Sequence, residues 1–242
     1  QPAAAPPGLQ GDTVAIALSS GASIERALAV VAEAGGGEPE PETEEILALS
    51  QRAGAPAVDL LRDLDRFNDV RNARVGDLDN YTRLQGSTQF DVLASYEDAA
   101  ASSTIDAAAF NELHATLSRF YRVIVVDTGN NMRASNWVAA VAAADQLVIV
   151  STVREDTAAS AAWLLDGLRE KGFDRKIDDA VTILTAPSAK PDRKLAERLE
   201  RHFAQVTGDV VHVPFDPALV DGGPIDFDAL SPESRDAWLS VA

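Results

Sequence analysis

Val123-Ile124-Val125-Val126 is an unbroken β-branched run that ends on Asp127. Side chains branched at Cβ favour extended backbone, and a strand that is apolar at every position offers no face to water. The run predicts a central strand buried on both sides. Further strands are expected at Val14–Leu18, Ile46–Leu49, Phe90–Ala94, Gln146–Val150, Val181–Thr185 and Val210–Val213. Between them, apolar residues recur at helical spacing: Ile24, Ala27, Leu28 and Val31, then Phe110, Leu113, Leu117 and Phe120, then Leu195, Leu199, Phe203 and Val206. Helices are accordingly expected from Ser23 onward and at 58–65, 105–120, 132–143, 156–171 and 191–206. A last one is expected at 232–242, begun by Ser231 as N-cap and Pro232 at the first helical position. Strands alternating with helices imply an α/β fold: three layers, doubly wound, with a mostly parallel sheet of about seven strands.

The expected organisation is a Pro/Ala-rich linker at 1–11, carrying Pro2, Pro6 and Pro7, followed by one α/β domain at 12–242. The opening residues have no charged stretch leading into an apolar one, so they do not read as a signal peptide. No apolar run approaches the ~18–20 residues that a membrane span needs. Acidic side chains number 38 against 21 basic ones, a net charge of −17. That balance argues against a primary role on nucleic acid or anionic lipid, since such binders gain affinity by neutralising phosphates. The chain has no cysteine, which excludes disulfides, thiol catalysis and Cys-based zinc sites. His114, His202 and His212 lie in three different segments, so a His-rich metal site is not expected. A cytoplasmic location follows as the expectation.

In open α/β sheets, ligands bind beyond the carboxyl ends of the strands. Four apolar residues deliver Asp127 to that edge, and Thr128-Gly129-Asn130 then turns the chain. A carboxylate there can hold Mg²⁺ through water in nucleotide chemistry, or simply cap its own turn. Arg154-Glu155-Asp156 follows another strand end and can border a nucleotide, though Asp156 as N-cap of the next helix is the plainer account. Lys190, Arg193, Lys194, Arg198 and Arg201 form a basic cluster, but Asp192, Glu197 and Glu200 are interleaved at pairing distance, as on a solvated helical face. The final segment, with Trp238, Leu239 and Val241, is short and acidic for a membrane-targeting helix.

Taken together, Phe90–Ser95, the run Phe120–Gly129 that carries Asp127, Ala143–Ser160, Val181–Pro187 and Val213–Gly223 resemble the ParA/MinD family of partitioning and positioning ATPases, its actinobacterial members in particular. The resemblance covers about residues 46 to 242 in order and spacing. It implies a P-loop NTPase fold, ATP and Mg²⁺ as cofactors, and nucleotide-dependent dimers that position chromosomes, plasmids or secretion machinery. By resemblance Asp127 takes the place of the Walker B aspartate, and Pro214 lies in the loop that approaches the adenine.

The first half departs from that family where phosphate should bind. Members follow strand one with a loop of the form KGGxGKT, whose backbone N–H groups and lysine hold the phosphates. Here Val14–Leu18 is followed by Ser19-Ser20-Gly21-Ala22-Ser23, and the first lysine of the chain is Lys171. Glu25 adds negative charge in the next helix's first turn. Ser20, Gly21 and Ser23 are the remaining candidates for an anion at that helix N-terminus, with Ser23 as a simple N-cap the plainer reading. Two functions therefore stand side by side. One is a non-catalytic scaffold or interaction module with protein partners in positioning, partitioning or secretion. The other is an ATPase of the same family that binds nucleotide by an unusual route.

Overall fold

The structure, a computed structural model, describes residues 13–19, 56–63, 78–84, 91–93, 105–129, 131–220 and 227–241; at 13–19, 56, 58 and 83–84 it describes the backbone alone. The expected linker at 1–11, the strand at 46–49 and the helix from Ser23 lie outside these residues. The strands are β1 (Thr13–Ser19), β2 (Arg83–Leu84), β3 (Asp91–Val92), β4 (Val123–Asp127), β5 (Gln146–Thr152), β6 (Val181–Thr185) and β7 (Asp209–Val213). The helices are α1 (Pro56–Arg62), α2 (Ala107–Leu117), α3 (Ser135–Ala143), α4 (Glu155–Glu170), α5 (Asp174–Asp178), α6 (Arg193–Phe203) and α7 (Pro232–Leu239).

Five strands form one open, wholly parallel sheet in the order β4-β1-β5-β6-β7. Parallel neighbours need crossover connections, and α3, α4 and α6 supply them between β4, β5, β6 and β7. The expected strand at Phe90–Ala94 is instead the short β3, paired antiparallel with β2 outside that sheet.

Alternation along the strands builds two cores, one on each face. Leu147 and Ile149 of β5 and Leu184 of β6 pack beneath α3, α4 and α6, against Trp137, Leu164, Leu168 and Phe203. Val148 and Val150 of β5 point the other way, joining Ile183, Val211 and Val213 under Leu230 and Trp238. The layers are therefore helix, sheet, helix. Ser231 caps α7 as its position before Pro232 implies, its hydroxyl accepting from the Ser234 N–H at 3.2 Å. Gly172 ends α4 at φ +82°, where a residue with a Cβ is strained, and the Phe173 N–H returns to the Leu168 carbonyl at 3.1 Å.

The expectation that β4 is buried on both faces needs correction. Ile124 and Val126 pack against the first core, but Val123 and Val125 on the opposite face are 61% and 41% exposed. Among the described residues β4 is the end strand, and the second core spans only β5, β6 and β7. The α7 layer does not reach β4.

Candidate functional site

The carboxyl edge of the sheet collects Asp127 from β4, Ser19 from β1, Thr152 from β5, Thr185 from β6 and Pro214 just past β7. The register pairs Ala17 of β1 with Asp127, so the end of β1 runs two residues beyond that carboxylate. Asp127 and Pro214 stand at opposite ends of the described sheet, four strand spacings apart, or about 19 Å. Ser20, Gly21 and Ser23 lie outside the described residues.

Asp127 is exposed, and its Oδ1 accepts a hydrogen bond from the Gly129 N–H at 3.0 Å. Gly129 sits at φ +58°, the left-handed conformation that lets its amide turn back. The Trp137 indole fixes the same turn by donating Nε1–H to the Gly129 carbonyl at 3.3 Å. One carboxylate oxygen thus closes the turn. As a Mg²⁺ donor set, a single carboxylate suits the ion only in company with phosphate oxygens and water. Among the described residues no group of three or more His, Cys, Asp or Glu side chains converges to hold a metal.

Beyond β5, the cap of α4 differs from the expectation. Arg154, not Asp156, is the N-cap residue, with extended backbone and no side-chain cap bond. Asp156 stands inside the first turn, where its carboxylate accepts Nε–H and Nη2–H of Arg154 at 3.0 and 2.6 Å and the Thr157 N–H at 2.9 Å. These bonds, the guanidinium first, hold the Asp156 carboxyl at about pKa 2, and the same pairing raises Arg154 above its ordinary value. The helix start is fastened instead by Thr157, whose hydroxyl donates to the Thr152 carbonyl at 2.9 Å.

After β7, half-buried Pro214 leads to Asp216, a residue the sequence reading did not single out. Asp216 is 4% exposed. Burial alone would push its carboxyl up, but the backbone N–H groups of Ser231 and Ala218, at 2.8 and 3.0 Å, and the hydroxyls of Ser234 and Ser231 outweigh it and hold the carboxyl below the usual range. The signal was present: Asp followed by Pro217 is a cap-and-first-position pair, here opening a 3₁₀ turn at Pro217–Leu219.

The basic cluster lies on α6 and around its start. Asp192 caps the helix, accepting from the Lys194 and Leu195 N–H groups at 2.9 and 3.1 Å. Arg198 pairs across to Glu155 of α4, and Glu200 reaches His212 of β7 at 3.3 Å. The ion pairs therefore run between elements rather than along the helix. No described helix is long and apolar enough to cross a membrane, and Trp238 of α7 is 2% exposed, packed in the second core.

No family model matches the chain. Among curated proteins it is similar to the ESX-1 secretion-associated protein EspI of Mycobacterium tuberculosis, in strains CDC 1551 / Oshkosh and ATCC 25618 / H37Rv, at 25% identity over 198 residues. That match takes in 80% of this chain but only 28% of the relative's length. Among solved structures, the ParA family ATPase from Chlorobium tepidum TLS aligns with a TM-score of 0.65 at 17% identity, covering 95% of this chain and 97% of that one. A chain of the MinC:MinD cell division protein complex of Aquifex aeolicus aligns with a TM-score of 0.61 at 18% identity, covering 95% of this chain and 93% of that one. A putative plasmid partition protein from Borrelia burgdorferi B31, bound to AMPPNP, gives 0.56 at 12% identity, covering 96% and 97%. The open parallel sheet and its two helical layers have the fold of the ParA/MinD P-loop NTPases.

Proposed function

We propose that this chain is a ParA/MinD-fold module without ATPase activity that works in the cytoplasm through contacts with protein partners, in secretion ahead of partitioning or positioning. The similarity to a secretion-associated protein supports the choice of process, and a longer relative suits a module that serves other segments. The observation that carries the reading is electrostatic. Phosphate binding needs a cation at the carboxyl edge, yet every lysine of the chain lies at or beyond Lys171. Arg154, the cation that follows β5, is held bidentately by Asp156. In a chain of net charge −17, triphosphate would meet repulsion with little to offset it.

The competing reading, a nucleotide-binding ATPase in which Asp127 serves Mg²⁺ and Ser20, Gly21 and Ser23 serve phosphate, draws on the exposure of Asp127 beside β1. Calorimetric titration of Mg·ATP into the purified chain decides between them. The interaction-module reading expects no saturable heat below about 1 mM. Micromolar binding that disappears in Asp127→Ala overturns it.

A further inference from the structure

Two apolar side chains of the sheet, Val123 and Val125, stand on the face of β4 turned away from α3 and α4, and among the described residues no part of the second core reaches them. The direction of the connections says what belongs there. The chain passes from β4 to β5 through α3, from β5 to β6 through α4, and from β6 to β7 through α6. Each step moves toward β7, and all three helices lie on the face of the first core. Helix α2, which leads into β4, packs Phe110 on that same face.

Strand β1 is the exception. It has β4 on one side and β5 on the other, so the parallel strand expected next, at 46–49, has to join at an end of the sheet. The free edge of β4 lies past one strand, that of β7 past three. A step from β1 past β4 travels opposite to the other crossovers. Parallel crossovers are right-handed in about 98% of cases, so the reversed direction puts the connecting helix on the opposite face, that of Val123 and Val125.

The connecting sequence suits that place. As a helix, Ser23 to Ala34, stopped by Gly35-Gly36-Gly37, spans roughly 18 Å, against about 17 Å for the five residues of β4. Ile24, Ala27, Leu28 and Val31 form one apolar line, and Glu25, Arg26 and Glu33 are the only charged residues of the segment. An apolar line and an apolar strand face each gain by leaving water together.

We propose that the uncovered face of β4 is the docking surface for this chain's own segment 23–34, laid as a helix antiparallel to the strand with Ile24 toward the Asp127 end. The face is then an internal contact, and the partners of an interaction module bind elsewhere. The inference goes beyond the interaction-module reading, and its measurement needs neither nucleotide nor partner.

The chain has no cysteine, so introduced pairs report without background. In the full chain, Val125→Cys is combined in turn with Ile24→Cys, Ala27→Cys, Leu28→Cys and Val31→Cys. As a control it is combined with Trp163→Cys, since Trp163 is exposed on α4, across the sheet. Mild oxidation of dilute protein, followed by peptide mass mapping, should join at least one of the four pairs within a single chain at about tenfold or more the control yield. A second readout uses Val125→Cys alone. Its labelling by a maleimide should quicken about tenfold or more when Leu28→Asp is added, and should stay unchanged when Glu33→Gln is added. No pair exceeding the control, disulfides formed only between chains, as a second copy on this face would give, or labelling indifferent to Leu28→Asp would each overturn the proposal.

Discussion

Replacing Asp216 with asparagine is expected to destabilise the chain by about 2–4 kcal/mol at neutral pH. The carboxylate is buried, with Oδ1 accepting from the Ala218 N–H at 3.0 Å and Oδ2 from the Ser231 N–H at 2.8 Å. Hydrogen bonds to a charged acceptor contribute roughly 1.5–3 kcal/mol each. Asparagine retains one oxygen as a weaker neutral acceptor and turns an NH₂ group toward the other N–H. Alanine, which leaves both N–H groups without an acceptor, should cost about 3–5 kcal/mol. Urea unfolding followed by far-UV circular dichroism measures both.

The pH dependence is the sharper check. Because the folded-state pKa of Asp216 is depressed, the unfolded chain binds its proton first as pH falls, and the carboxylate's contribution is lost. The contribution is complete above about pH 5, declines as pH passes the unfolded value near 3.9, and is gone below the folded value. The difference between wild type and Asp216→Asn should therefore shrink steadily from pH 5 downward. Equal stabilities at pH 7, or a deficit that stays constant as the solution is acidified, would refute the reasoning.

Three further outcomes are expected. Gly208→Ala should cost about 1–3 kcal/mol, because the new Cβ would lie 2.5 Å from the Asp178 carbonyl oxygen, a backbone atom that cannot swing aside; thermal unfolding would show it. Trp238→Ala should lose about 3–5 kcal/mol from the second core. Trp238→Phe should lose less than about 1.5 kcal/mol, since the buried Nε1–H has no hydrogen-bond partner to forfeit, and urea midpoints separate the two. Asp127→Ala should cost less than about 1 kcal/mol, the single bond to Gly129 lying in an exposed turn, and should leave the calorimetric trace with Mg·ATP unchanged.

The second half of the fold was legible because its strands and helices announce themselves by composition and period. The expected strand at 181–185 coincides with β6, and those at 123–126, 146–150 and 210–213 fall within two residues of β4, β5 and β7. Helices α4 and α6 lie inside or within one residue of their expected spans. What failed depends on neighbours that period cannot reveal. An apolar run says that a strand is apolar, not that a layer covers both its faces, hence the exposed Val123 and Val125. Helix α5, DRKID, has one buried residue, Ile177, and is too short and charged to show a period. The partners of Arg198 and Glu200 lie 43 and 12 positions away, beyond any helical spacing. In the site, Asp127 is legible as the polar end of an apolar strand, while the Ser231 N–H that Asp216 accepts from lies 15 positions along the chain, beyond any local signal.

The two aspartates at the carboxyl edge of the sheet play different parts in the fold. A phosphate loop holds its ligand with backbone N–H groups and a lysine, contacts that bind the ligand and contribute little to a hydrophobic core. Among the described residues the cores are α3, α4 and α6 over one face of β5 and β6, Leu230 and Trp238 over the other, and a smaller cluster of Ala57, Leu60, Leu78 and Leu113. Asp127 is exposed and its carboxylate is engaged with its own turn. Asp216, buried on the same edge, ties the segment after β7 to the start of α7 and so to the second core. The carboxylate at the end of β4 is therefore expected to contribute less to stability than the one at the far end of the sheet.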